Sequence, residues 1–155
     1  AVEAGTVEES DAWGYMGKQV GGTAISGDTD HCTATGKQGI TVDSYQTQTQ
    51  ADQALLSGRD DIGWADSPVA AYQVKTHNGQ LQVGGQPCSV APYGIALVHG
   101  STLEKAITDA VKYLITSGYY SKILQSWGVQ AGAIDGSAVS LNNNSASGAS
   151  CVPSY

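Results

Sequence analysis

The sequence predicts an α/β fold: a three-layer, parallel-sheet βαβ lobe followed by a C-terminal strand and two helices. Two observations predict it. Short apolar runs of strand length alternate with amphipathic runs of helix length from Lys18 onward, and several of the helical runs carry their own start and stop residues.

The elements follow in order. Gln19 to Ala24 reads as a first strand, Gly27 to Thr35 as a helix ended by Gly36, and Gly39 to Ser44 as a second strand in which Ile40 and Val42 alternate. A helix is expected from about Thr49 to Ser57. Thr49 with Asp52 three residues later resembles a capping box, Ala51, Ala54 and Leu55 give an apolar stripe, and Gly58 ends it. Asp60 to Ala65 reads as the third strand. Asp66-Ser67-Pro68 then starts a helix carrying Val69, Tyr72 and Val74, which stops at the Asn78-Gly79 turn. Strand alternating with helix three times implies a parallel sheet with right-handed crossovers.

Leu81 to Val83 is a further short strand candidate, and Tyr93 to Val98 is the most strand-like run in the chain. Ser101 with Glu104 forms a capping box that opens a helix to Ser117, with Leu103, Ile107, Val111, Leu114 and Ile115 as its expected buried stripe. Tyr119 to Trp127 is the last helix, with Tyr120, Ile123, Leu124 and Trp127 on one side as core or docking residues. The organisation read from these patterns is an acidic N-terminal arm at 1–13, an α/β domain at 14–90, a return strand with two helices at 91–130, and a Gly/Ser/Asn-rich tail at 131–155. Residues 1–10 hold Glu3, Glu8 and Glu9 without a clear period, so this stretch reads as an arm or a strand lent to something else. The tail is expected to be flexible.

Composition narrows the function classes. A chain of 155 residues with 41% hydrophobic residues can bury one core. Its apolar runs are too short for a membrane span, and no charged-then-apolar leader opens it. A formal charge of −7, with Arg59 the one arginine and the lysines scattered, argues against nucleic-acid binding. The sequence contains no GxSxG, HExxH or Walker pattern, and Gly21-Gly22 completes no dinucleotide fingerprint, so neither an enzyme nor a cofactor is expected.

Cys32, Cys88 and Cys151 form an odd set with no metal-ligand spacing. One disulfide and one leftover thiol is the simplest arithmetic, and spacing does not choose the pair. His31, His77 and His99 are far apart in sequence and read as surface residues. Asn143-Asn144-Ser145 fits a glycosylation sequon, a pattern common by chance.

What remains is a binding geometry. Ser26-Gly27, after Ala24 at the end of the first strand, would open a helix whose amides and dipole favour an anion. Asp66, at the end of the third, would favour a cation. Together they suit a zwitterion, with an α-carboxylate at Ser26 and an ammonium on Asp66. The plainer reading is that Ser26 and Asp66 only cap their helices.

Several segments resemble the extracellular solute-binding proteins of family 3, with the type 2 periplasmic-binding fold, that serve polar amino-acid ABC importers. Lys18 to Ser26 is similar to the segment opening the family's second lobe, and Ala65 to Tyr72 (ADSPVAAY) to the segment whose aspartate takes the ligand ammonium. Ala91 to Ser101 is similar to the return strand and Ser117 to Val129 to the closing helix. The resemblance spans roughly 14–134 and implies a second lobe with its return segment. By it, Ala24, Ser26, Gly27 and Asp66 are the ligand-binding residues, the ligand is a polar amino acid, an ABC permease is the partner, and the location is extracytoplasmic.

Two residues depart from the family pattern. Ile25 stands where the family usually has Gly, and Asp60 where a small apolar residue is usual. The family's first lobe, which supplies an arginine and an aromatic floor, is expected to be absent, so binding should be weak, and the apolar stripe after Tyr93 should be exposed or covered by a partner. The alternative is a structural, self-assembling extracellular protein, a homo-oligomer that reuses this lobe with ligand binding weakened or lost.

Overall fold

The computed structural model describes residues 1–26 and 28–142, which fall into two compact units that part between Cys88 and Ser89. The first unit is mixed α/β around a small parallel sheet. Strand β1 (Val2–Glu3) pairs in parallel with β2 (Ser44–Tyr45), Val2 opposite Ser44 and Glu3 opposite Tyr45. On that side the amide of Val2 donates to Asp43 O at 3.1 Å and that of Ala4 to Tyr45 O at 2.7 Å.

The opposite side of β1 also bonds. Ala1 N donates to Ile62 O at 2.7 Å and Trp64 N donates to Ala1 O at 3.0 Å, so Ala1 is bracketed by Ile62 and Trp64 as in a parallel ladder. The 62–64 segment therefore lines up beside β1 although it forms no regular strand.

The acidic start of the chain thus supplies one of the two strands and also bonds the 62–64 segment through Ala1. It then forms helix α1 (Val7–Tyr15), capped by Thr6. Val2 from β1 and Ala12 from α1 are buried with Met16, Ala51 and Ala54, and these form the hydrophobic core among the described residues. Alanines dominate because α3 (Gln48–Leu56) lies against β1 and β2, and a small side chain at each contact lets backbone approach backbone.

Gln19 to Ala24, expected as the first strand, instead folds back on itself. Lys18 and Ala24 form an antiparallel bridge, and the chain reverses through Gly21 and Gly22 at φ 88° and 90°. Two consecutive left-handed residues turn a chain, and glycine adopts that conformation without strain. The helix expected from Gly27 shrinks to α2 (His31–Ala34), because Asp30 is the residue whose carboxylate accepts from Cys32 N and Thr33 N at 2.9 and 3.2 Å. His31, read as a surface residue, is buried and stacks on Tyr15 with ring centroids 5.1 Å apart.

The middle helices match their patterns more closely. Helix α3 begins one residue before the expected Thr49, with Thr47 as its cap, and stops before Gly58 at φ 72°. Asp52 does not complete a capping box with Thr49. It accepts from Gln48 Nε2 at 2.8 Å and from Gln73 Nε2 at 2.5 Å, tying α3 to α4 (Ser67–Thr76).

In the second unit, α5 (Leu103–Thr116) and α6 (Tyr119–Trp127) pack on each other and are joined by Gly118 at φ 78°. A 3₁₀ turn, Gln130–Gly132, follows. Neither Leu81 to Val83 nor Tyr93 to Val98 forms a strand, and the apolar stripes are not buried. Leu103 is 57% exposed, Ile123 51%, Trp127 48% and Val98 85%.

Cys88 is disulfide-bonded and Cys32 is a free thiol, which excludes a Cys32–Cys88 pair. Cys151 and the sequon at Asn143 lie outside the described residues. No helix among those described is long and apolar enough to cross a membrane.

Candidate ligand-binding site

The carboxyl end of β1 is the best-built polar junction in the first unit. After Glu3 the chain passes through Ala4 and Gly5, the latter at φ 80°, where a side chain would be strained although space is open. Thr6 then caps α1 twice over. Its hydroxyl donates to Glu3 O at 2.7 Å and accepts from Glu9 N at 3.2 Å. Glu9, buried at 6% exposure, returns its carboxylate to Gly5 N at 2.7 Å. The spacing Thr6-Val7-Glu8-Glu9 is a capping box, with the acidic side chain reaching one residue further back than usual.

This reciprocal pair fixes where Glu8 sits. Glu9 is turned back on the strand end, and Glu8, half-buried in the first turn of α1, has its carboxyl beside that of Asp66. Burial pushes the Glu8 carboxyl above its usual range, and the hydrogen bond and negative charge of Asp66 push it further the same way. A bond to its own backbone amide opposes them.

Asp66 is exposed and stands as the N-cap of α4, with Pro68 in the first turn. Its side chain makes no bond to the amides of its own helix. The plain capping role is therefore not what this carboxylate does here. It stands beside Glu8 instead, so an acidic group lies next to the first turn of α1.

The other residues expected at the site are placed differently. Ala24 is exposed in its bridge to Lys18, and Ser26 is exposed in a turn beyond it. Gly27 lies outside the described residues. Thr6 and Glu9, which build the capped start of α1, were not singled out in the sequence reading. The signal was present in Thr6 and Glu9, whose spacing matches that of Ser101 and Glu104.

A second polar group lies near the start of the Asp60 to Ala65 segment. Tyr45 Oη donates to Asp60 Oδ2 at 2.7 Å. Desolvation pushes the Asp60 carboxyl up, but the Tyr45 bond and the positive charges of the Ala1 amine and Arg59 outweigh it and hold it below the usual range. An open concavity of about 450 Å³ lies nearby, lined by Tyr45, Gln50, Gln53, Ala54, Ser57 and Arg59. It includes neither Thr6 nor Asp66, and size alone does not make it the site. Among the described residues no three His, Cys, Asp or Glu side chains gather as a metal site would require.

Comparison with known proteins bears on the family the chain resembles. The chain is 39% identical over 104 residues to the arginine-binding protein ArgT of Corynebacterium glutamicum, covering 67% of this chain and 34% of that one. Part of this chain is homologous to part of an amino-acid-binding protein. A second relative, the ABC transporter glutamine-binding protein GlnH of Bacillus subtilis, is 32% identical over 84 residues, covering 54% of this chain and 30% of its own. The chain thus spans about a third of the length of the curated relatives it matches. These similarities support the solute-binding family that the sequence resembles, and with it a periplasmic-binding fold. No family model matches the chain, and no solved structure does.

Proposed function

We propose that this chain is the substrate-binding component of an amino-acid ABC transporter, or a fragment of that component, and that it holds the polar α-amino and α-carboxylate groups of an amino acid. The observation that carries the reading is the place of Asp66 beside Glu8 in the first turn of α1, in a chain partly homologous to two amino-acid-binding proteins. The ammonium goes to Asp66. The carboxylate meets the first amides of α1 at Thr6 and Val7, since Gly5 N and Glu9 N already bond within the cap.

In this reading the chain is a second lobe with its return segment, its partner is an ABC permease, and it works outside the cytoplasm. The relatives are about three times as long as the matched stretch, so the residues here supply one part of a binding unit. A wall that offers one aspartate and one helix end binds a free amino acid at about millimolar strength, near −4 kcal/mol. Titration calorimetry with a panel of amino acids tests this. Measurable binding that disappears in Asp66→Ala supports it, and absence of binding across the panel overturns it.

The assembly reading has its own observation in the exposed apolar residues of the second unit, among them Ile95, Val98, Ile123 and Trp127. Surfaces of that kind are interfaces more often than bare faces. A concentration-dependent oligomer that binds no amino acid would favour it.

A further inference from the structure

We propose that Asn78 is a modification site, which loses its side-chain amide to attack by the Gly79 backbone nitrogen and becomes an aspartate or isoaspartate just past the end of α4. The asparagines of the chain are Asn78, Asn142, Asn143 and Asn144, and Asn78 alone precedes a glycine.

The turn after α4 leaves this pair open. Gln80 N donates to His77 O at 2.9 Å, which closes a tight turn with Asn78 and Gly79 as its central residues, at φ 45° and 81°. Asn78, Gly79 and Gln80 are exposed, and nothing stands within 4 Å of where a side chain on Gly79 would begin. Among the described residues no group accepts from Gly79 N, so the attacking amide gives up no hydrogen bond. Without a Cβ on Gly79, the nitrogen reaches the Asn78 carboxamide free of a steric clash.

In the reaction, base removes the proton of Gly79 N, the nitrogen bonds to Asn78 Cγ, and the bond from Cγ to the amide nitrogen breaks with release of ammonia. A five-membered succinimide is left, and water opens it at either carbonyl. One opening gives an aspartate side chain on the ordinary backbone, and the other routes the backbone through the side-chain carbon as isoaspartate. Both products place a new negative charge beyond the C-terminus of α4, where the helix dipole is already negative. Asp135-Gly136 is as open around its glycine but is held differently. The Asp135 carboxylate accepts from Ser137 N at 2.7 Å and from Ser137 Oγ, and an ionised, hydrogen-bonded carboxylate is a poor electrophile.

The test incubates the 155-residue chain at pH 8 and physiological temperature and follows it over days by peptide mapping with mass spectrometry. The peptide holding Asn78 is expected to gain one dalton, with isoaspartate the larger product, ahead of any change at Asn142, Asn143 or Asn144 and more slowly at pH 6. The native chain should react nearly as fast as the chain unfolded in guanidinium chloride, because the turn withholds neither partner. Asn78→Gln, which needs a six-membered ring, should lose the gain. Gly79→Ala should slow it several-fold in guanidinium chloride, where the strain of alanine at φ 81° plays no part. No gain at Asn78, aspartate without isoaspartate, an unchanged rate in Gly79→Ala, or strong protection by the native fold overturns the assignment.

Discussion

The carboxyl group of Glu8 stands beside that of Asp66, which brings the first turn of α1 to the residue that opens α4. The contact makes an acid-favoured link between the two helices, with a definite sign. Glu8 has a raised pKa in the folded chain, so folding takes up a proton over the window between its ordinary and its raised value. The stabilisation is complete below the ordinary value and is lost as pH rises through the raised one. Glu8→Gln removes the titration. Its urea midpoint should exceed that of the unmutated chain at pH 7, with the difference closing toward pH 4. A difference that does not change with pH contradicts the coupling.

Asp60 predicts the opposite slope. Its carboxyl is held below the usual range against desolvation, chiefly by the Tyr45 hydroxyl, so its contribution is present above the ordinary carboxylate value and lost as pH falls through the depressed one. Tyr45→Phe should destabilise the chain at pH 7 and have less effect at pH 3. Thermal melts of both proteins at the two pH values measure this, and an equal effect at both rules the linkage out.

Asp52 holds α3 to α4 by accepting from Gln48 and Gln73 with separate oxygens. Asp52→Ala removes both bonds and should cost about 1–3 kcal/mol by urea unfolding. Gln73→Ala alone should cost less, since Gln48 stays within α3. If Gln73→Ala costs as much as Asp52→Ala, the bond across the helices carries the whole effect.

These relationships show how much could be read beforehand. The helices α3, α4 and α6 were legible because each has a local stop or start, such as Gly58, Pro68 or Gly128, acting on the chain immediately beside it. The sheet was not. β1 is two residues long, and the chain there is fixed by Asp43, which accepts from Val2 N, and by Ile62 and Trp64, which bond to Ala1, contacts that no local pattern encodes. The acidic residues around it suggested an arm because Glu3, Glu8 and Glu9 mask the apolar period, although Glu9 is buried as a cap. Asp66 was legible from its place before Ser67-Pro68. Its partner Glu8 was not, being 58 positions away along the chain.

The anion end of the site separates two assignments. If the α-carboxylate sits at the start of α1, Thr6→Ala releases the cap on Glu9 N and the bond to Glu3 O, so it should weaken both binding and the fold, the latter by about 1 kcal/mol. Ser26→Ala should then leave affinity unchanged, because Ser26 is exposed in a turn beyond the Lys18–Ala24 bridge. Thr6→Ser, which keeps the hydroxyl, should restore most of what Thr6→Ala loses. Comparing the three variants by calorimetry with one amino acid and by urea unfolding distinguishes a lost fold from a lost ligand contact. A large loss of affinity in Ser26→Ala with normal stability moves the carboxylate to Ser26 and away from Thr6.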